Sequence, residues 1–383
     1  MAECQPAIVT RLSAPGVSAL ATLRVEGPGA VELVDRYFHG CGSKPLGQLM
    51  RERIAVGRWG SASGEEIVVG RPAADVCELH CHGGAVAADA IIASLEAAGA
   101  KFRNWEEWVA QHEVDAIAAE ARIALAQATT ESCARIIVDQ HQGALRRAIE
   151  VIRDLLAAAE REAAARHIEF LLATARLGLH LIEPFRVVLV GTPNAGKSSL
   201  LNALLGYQRA IVFDQPGTTR DVLSAQSAIG GWPVQLSDTA GLRLTDAMLE
   251  RAGIEQMWCA AANADLLLVC IAKDQANRVE PVDLESAGAP VLRVGTKSDV
   301  PGDWPVPIDV ATSAATGNGI EGLLGLIERR LLVNRPPTGS AVVFTHRQQR
   351  CLNDAQHCLR AGRCEASLES LQRIVSGGLG ELT

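Results

Sequence analysis

No stretch of this 383-residue chain is apolar for long enough to span a bilayer. The strongest apolar run, DLLLVCIA at 265–272, falls far short of the roughly 20 residues a transmembrane helix needs. Nor does the sequence open with a basic segment followed by an apolar signal run, since MAECQPAIVTRLSAPG is mixed and holds Pro6 and Pro15. Positive charge is scarce as well. A net charge of −8 excludes broad electrostatic binding of nucleic acid, which needs clustered Lys and Arg, but leaves room for a local basic patch or an RNA-binding partner. Low-complexity tracts are few and no internal repeat stands out. The ten cysteines lie in ordinary, partly apolar contexts, which in a chain without an export signal suits free thiols. The expectation is a cytoplasmic globular protein of two or three domains, with no membrane association.

Four segments separate by texture. Residues 1–104 mix short β-like runs (SALATLRVEG, EEIVVG, DVCELHCHGG) with Gly/Pro turns and one Ala-rich helix near 85–98, which predicts a small α+β domain. Residues 105–184 hold almost no Gly or Pro before the closing Pro184. There Ile168, Leu171, Leu172, Ala175 and Leu179 recur on one helical face. Residues 185–335 alternate strand candidates (FRVVLVG, PVQLSD, DLLLVCIA, PVLRVG, IDVATS) with helical stretches, the order of a mostly parallel sheet covered on both faces. Residues 336–383 turn helical again, with Leu352, Ala355 and Leu359 on one face. Leaving a helical region and returning to it implies that the α/β domain is inserted into the helical one.

The stretch VVLVGTPNAGKSSLLNALLG, 187–206, carries the chemistry. Gly-x-x-x-x-Gly-Lys-Ser at 191–198 follows an apolar strand and opens a helix. Gly191 and Gly196 let the backbone curl so that N–H groups from Asn194 through Ser199, Ala195 included, point at β- and γ-phosphates. Lys197 adds a point charge there, and the Ser198 hydroxyl is a ligand for Mg²⁺. DTAG at 238–241 ends another strand. Asp238 would hold the Mg²⁺ shell through water, and the Thr239–Ala240–Gly241 backbone would reach the γ-phosphate. Between them, GTTRD at 217–221 supplies Thr218 and Thr219. Thr219 completes the Mg²⁺ shell only while the γ-phosphate is present, which would make the segment a switch.

The base is chosen further on. GTKSD at 295–299 gives Thr296, Lys297 and Asp299. A carboxylate there accepts two hydrogen bonds from guanine N1–H and N2–H₂, donors that adenine lacks. The common pattern has Asn where this chain has Thr296, one hydroxyl in place of a planar amide. TSAATG at 312–317 lends backbone N–H groups of Ser313, Ala314 and Ala315 to guanine O6. One further absence is informative. Ras-like proteins place a water-orienting Gln after the Asp-x-x-Gly motif, but Leu242 stands here, so hydrolysis needs another water-positioning group and another positive charge.

Together PNAGKSSLLNAL, GTTRDVL and DTAGLR resemble the MnmE (TrmE) family of tRNA-modifying GTPases. The resemblance implies a multidomain chain: an N-terminal α+β domain, a helical domain, and an inserted Ras-like α/β P-loop GTPase domain. It also implies that Asn194, Thr218 and main-chain carbonyls of Phe213 and Gln215 ligate a K⁺ ion in place of an arginine finger. Glu250, in AMLERAGIE, would be the catalytic glutamate that orients the attacking water. A homodimer of G domains, an MnmG-type FAD-binding partner and wobble uridine (U34) of tRNA follow from the resemblance as well.

Arg24 in ATLRVEG and Glu78 in CELHCHGG match the family's folate-binding positions, which implies 5-formyl-tetrahydrofolate. Two rivals stand beside that reading. Cys77, His80, Cys81 and His82 crowd together like metal ligands, but strand alternation sends His80 and Cys81 to opposite faces and no second Cys/His pair completes four ligands. A tight Gly83–Gly84 turn with no ligand is the other. The sequence departs from the family at three places. KFRNWEEW replaces the Pro-Gly-Glu-Phe stretch, Glu113 stands where the family has a folate-contacting lysine, and GGLGELT stands where the family has a Cys-Ile-Gly-Lys tail, with Cys364 not equivalent. The competing function is a GTP-dependent switch without modification chemistry, in ribosome assembly or regulation. A third reading, a working N-terminal domain with a degenerate G domain, runs against the intact Lys197, Ser198, Asp238 and Asp299.

Overall fold

A computed structural model describes residues 6–14, 16, 18–41, 45–48, 53–61, 63–207, 224–238, 263–273 and 288–377. The chain forms two compact units, Met1–Val114 and Asp115–Thr383.

The first unit is a seven-stranded sheet in the order β3-β4-β5-β6-β2-β1-β7. Its strands are β1 (Ile8–Arg11), β2 (Leu20–Glu26), β3 (Phe38–Gly40), β4 (Ile54–Trp59), β5 (Glu66–Ala73), β6 (Val76–His82) and β7 (Lys101–Arg103). Neighbours run antiparallel except β1 and β7. Strict alternation in β2 and β6 buries Ala21, Leu23, Val25, Cys77, Leu79 and Cys81 on one face, against helices α1 (Ala30–Asp35) and α2 (Ala85–Ala97). The opposite face is polar in its middle. Helix α3 (Trp105–His112) is capped by the Asn104 side chain, which accepts from the Glu107 N–H at 2.7 Å. The sequence pattern put residues from 105 onward with the helical segment, yet α3 belongs to the first unit. The reason is side-chain chemistry: the Trp108 indole donates to Glu26 Oε1 at 2.9 Å.

The second unit holds helices and a second sheet. Helices α4 (Ala116–Gln127), α5 (Glu131–His141), α6 (Ala144–Ala157) and α7 (Arg161–Gly178) precede the sheet in sequence. Asp115 and Thr130 cap α4 and α5 by accepting from the N–H groups of Ala118 and Cys133. Six strands follow: β8 (Phe185–Val190), β9 (Ser224–Ile229), β10 (Trp232–Asp238), β11 (Leu266–Ala272), β12 (Val291–Thr296) and β13 (Val310–Ala311). Their order is β13-β12-β11-β8-β10-β9, parallel throughout except for the β9–β10 hairpin. Helices α8 (Lys197–Tyr207) and α9 (Ile320–Leu331) belong to this part of the chain.

The last two helices, α10 (His346–Arg360) and α11 (Cys364–Ser376), return to the first four. One apolar core runs from Ile117 through the sheet to Leu352, Ala355, Leu371 and Ile374. At its helical end Arg347 and Glu120 form a buried two-pronged ion pair: Nε to Oε1 at 2.7 Å and Nη2 to Oε2 at 2.8 Å. The Arg347 guanidinium also donates to the carbonyls of Arg373 and Ile374 at the end of α11. Among the described residues no helix is long and apolar enough to cross a membrane.

Candidate nucleotide site

In the second sheet β8 lies between β11 and β10, so chain crossovers leave its two sides in opposite directions. The crevice beyond the carboxyl end of such a strand is where open α/β sheets take ligands. The loop that leaves β8 there runs through Gly191–Gly196 into α8. Gly191 has φ +149, and a Cβ on it would lie 2.5 Å from the Cys270 carbonyl, so the strand can turn here only without a side chain. Asn194 sits at φ 63, a left-handed conformation that Asn tolerates better than most residues. Lys197 folds back over this loop, its Nζ donating to the carbonyls of Gly191 at 2.9 Å and Thr192 at 3.0 Å. The ammonium is therefore held at the mouth of a ring of backbone amides, the arrangement that neutralises phosphate oxygens. Ala195 is buried, while Asn194, Ser198 and Ser199 are exposed.

The Ser198 hydroxyl donates to Asp238 Oδ2 at 2.5 Å, joining the phosphate loop to the end of β10. A hydroxyl and a carboxylate are hard oxygen donors, the set that Mg²⁺ takes when it also bridges phosphates. Thr219, the other Mg²⁺ residue expected, lies outside the described residues. So do Phe213, Gln215, Thr218, Thr239, Ala240, Gly241, Leu242 and Glu250.

On the base side Thr296 ends β12 and Lys297 turns the chain at φ 56, placing exposed Asp299 beyond the sheet. A hydrogen bond from the Ser313 side chain lowers the Asp299 pKa, favouring the carboxylate that acts as a double acceptor. The Ser313–Ala315 turn is stitched to this loop, since Ser298 N–H donates to the Thr312 carbonyl at 3.0 Å. Thr296 ties the two halves of the site together: its Oγ1 donates to the Ala195 carbonyl at 2.7 Å.

Sequence reasoning missed Lys273 and Trp304. Lys273 Nζ donates to the Val300 carbonyl at 2.8 Å and lies 4.4 Å from the centre of the Trp304 ring, pinning the loop that carries Asp299. The signal was partial, a lysine directly after the third strand candidate, and nothing local names Trp304 as its partner.

With phosphate and base elements on one sheet edge, likeness to known proteins can be weighed. A family model described as 50S ribosome-binding GTPase matches residues 186–297. Three relatives are each named tRNA modification GTPase MnmE. That of Thermus thermophilus is 33% identical, the match covering 90% of this chain and 86% of the relative. That of Chloroflexus aurantiacus is 32% identical over 96% of this chain and 93% of the relative. That of Methylorubrum populi is 35% identical over 89% and 84%. The chain belongs to the MnmE family.

Membership extends to the first unit, because the matches cover most of the chain. Arg24 and Glu78 stand directly opposite each other on β2 and β6. Arg24 Nη1 donates to Glu78 Oε1 at 2.8 Å and Arg24 Nε to Glu26 Oε2 at 2.8 Å, while its guanidinium lies 5.5 Å from the Trp108 ring. The buried Thr10 hydroxyl, in register with Arg24, has no hydrogen-bond partner. Cys77 and Cys81 point into the core, away from His80, and burial pushes the Cys77 thiol up to about 11. His80 instead faces Thr22, Nδ1 to Oγ1 3.0 Å. Among the described residues no group of three or more His, Cys, Asp or Glu is placed to hold a metal ion.

Proposed function

We propose that this protein binds GTP between the phosphate loop and Asp299, hydrolyses it, and uses the cycle in tRNA modification. The observation that carries the reading is the joined site: Lys197 over the loop, Ser198 bonded to Asp238, and Thr296 tying that loop to the guanine-reading segment. Backbone amides and Lys197 would grip the β- and γ-phosphates, and Ser198 with Asp238 and Thr219 would hold Mg²⁺ in position.

The finer parts rest on resemblance and on residues partly outside those described. Asn194, with Thr218 and the carbonyls of Phe213 and Gln215, would hold K⁺. Bound there, K⁺ would supply the positive charge that an arginine supplies in other GTPases. Glu250 would orient the attacking water. The layout proposed is an N-terminal α+β domain that takes in α3 and ends at 114, helical parts at 115–184 and 336–383, and a G domain at 185–335 inserted between them. The Glu120–Arg347 pair, which joins the two helical stretches, supports that insertion. A homodimer, an MnmG-type FAD-binding partner, wobble uridine as the target and a cytoplasmic setting complete the proposal. Folate is proposed from Arg24 and Glu78; when bound it would supply a one-carbon unit.

GTP turnover by the purified protein in KCl and in NaCl tests the cation, and an equal rate in both salts removes it. Glu250→Ala should lower turnover by about 100-fold with little change in nucleotide affinity. The second reading, a GTP switch without modification chemistry, draws on the match to 50S ribosome-binding GTPases and on Glu113 at the lysine position. Nucleoside analysis of tRNA from a deletion strain separates the two: unaltered wobble uridine would favour the switch.

A further inference from the structure

The departure at Thr296 has a chemical consequence. Its hydroxyl owns a single proton, and two carbonyl oxygens lie within reach: Ala195 O at 2.7 Å and Ile271 O at 3.2 Å. Both are acceptors, so that proton is fully committed inside the protein. What remains on Oγ1 is lone-pair density, which cannot bond to another acceptor. Guanine N7 is an acceptor. The side chain is also almost closed to ligand, at 4% exposure. An asparagine at this position would carry two amide protons, enough to hold a phosphate-loop carbonyl and still donate to a base.

We infer that Thr296 makes this site blind to guanine N7, tying the base loop to the phosphate loop and leaving base choice to Asp299 and the Ser313–Ala315 turn. This rests on the guanine-nucleotide reading above and deepens it. N1–H and N2–H₂ are read by the ionised carboxylate of Asp299, which is exposed beyond the end of β12 and accepts a bond from Ser313. Selection is therefore concentrated on the edge of the purine remote from N7. Thr296 acts as a positioning residue that spends its one donor on the fold.

Titration calorimetry on the full chain with three diphosphates tests this. GDP and 7-deaza-GDP, in which N7 is replaced by C–H, should bind within about twofold of each other. IDP, which lacks the N2 amine, should bind about tenfold or more weakly because Asp299 loses a charge-assisted bond. In Thr296→Asn the second amide proton should open a gap of about fivefold between GDP and 7-deaza-GDP. A wild-type protein that binds 7-deaza-GDP about fivefold or more weakly than GDP overturns the inference and leaves the guanine reading standing. A failure to bind GDP at all overturns both. A T296N protein with the wild-type melting point and still no gap would show that Thr296 is not the cause.

Discussion

Replacing Arg347 by Met probes the link between the two helical stretches of the second unit. Arg347 and Glu120 are 4% and 3% exposed, so neither charge has water to fall back on. The guanidinium bonds twice to Glu120 and once each to the carbonyls of Arg373 and Ile374. In the variant, Glu120 would keep only Gln348 Nε2 at 2.8 Å and Thr345 Oγ1 at 3.1 Å, neither of them charged. Stranding a buried charge in this way costs about 3–5 kcal/mol. With a urea slope of about 3 kcal/mol per molar, the midpoint should fall by about 1 to 1.7 M. The double variant Glu120→Leu/Arg347→Met removes the stranded carboxylate too and should recover about 2 kcal/mol of the loss, though the carbonyls at the end of α11 stay unmet. Urea unfolding followed by far-ultraviolet circular dichroism reads both. An R347M protein that unfolds at the wild-type midpoint, or a double variant less stable than R347M, would refute the reasoning.

Other expectations follow from the nucleotide site and its surroundings. Lys197→Ala should weaken GTP binding by about 10- to 100-fold in calorimetry, because charge-assisted bonds to phosphate are lost. Asp299→Asn should weaken GTP and strengthen XTP, since an amide N–H meets the C2 carbonyl of xanthine where a carboxylate repels it; competition between the two nucleotides checks this. Because the Ser313 bond lowers the Asp299 pKa, its contribution is complete above the ordinary carboxylate range and fades only as pH falls through the lowered value; GDP affinity should stay level down to about pH 5. Burial raises the Asp265 carboxyl, but the His180 bond and the Arg186 N–H outweigh it and the net shift is downward. Its stabilisation is thus present above the ordinary carboxylate range and lost on acidification, and Asp265→Asn should lower the melting temperature at pH 7 more than at low pH.

Some features were legible because they are local. The phosphate loop needs its glycines, lysine and serine within eight consecutive positions, 191–198, and the structure sets them at the end of β8 with the left-handed and open backbone the motif demands. Strand β11 and, after Arg186, strand β8 are buried on both faces and read as continuous apolar runs, while β10 and β12 are largely buried with a few polar residues among the apolar ones. By contrast β3 and β7 have three residues each, too few to show a period, and β9 (SAQSAI) is polar enough to pass for a loop. Helix α3 was legible as a helix but not as part of the first unit, because it is attached by contacts distant in sequence, the Trp108 indole and His112 to Glu26 and the Trp108 ring to Arg24.

The sequence by itself determined the nucleotide class and the kind of sheet that carries it, since both are written in short contiguous patterns of backbone freedom, charge and apolar repeat. Only the tertiary structure decided which distant side chains meet: Thr296 with Ala195, Lys273 with Trp304, Glu120 with Arg347. Those pairings depend on strand order and on helices returning across the fold. A one-dimensional pattern carries no record of either, because a hydrogen bond between residues far apart in the chain leaves no periodicity behind.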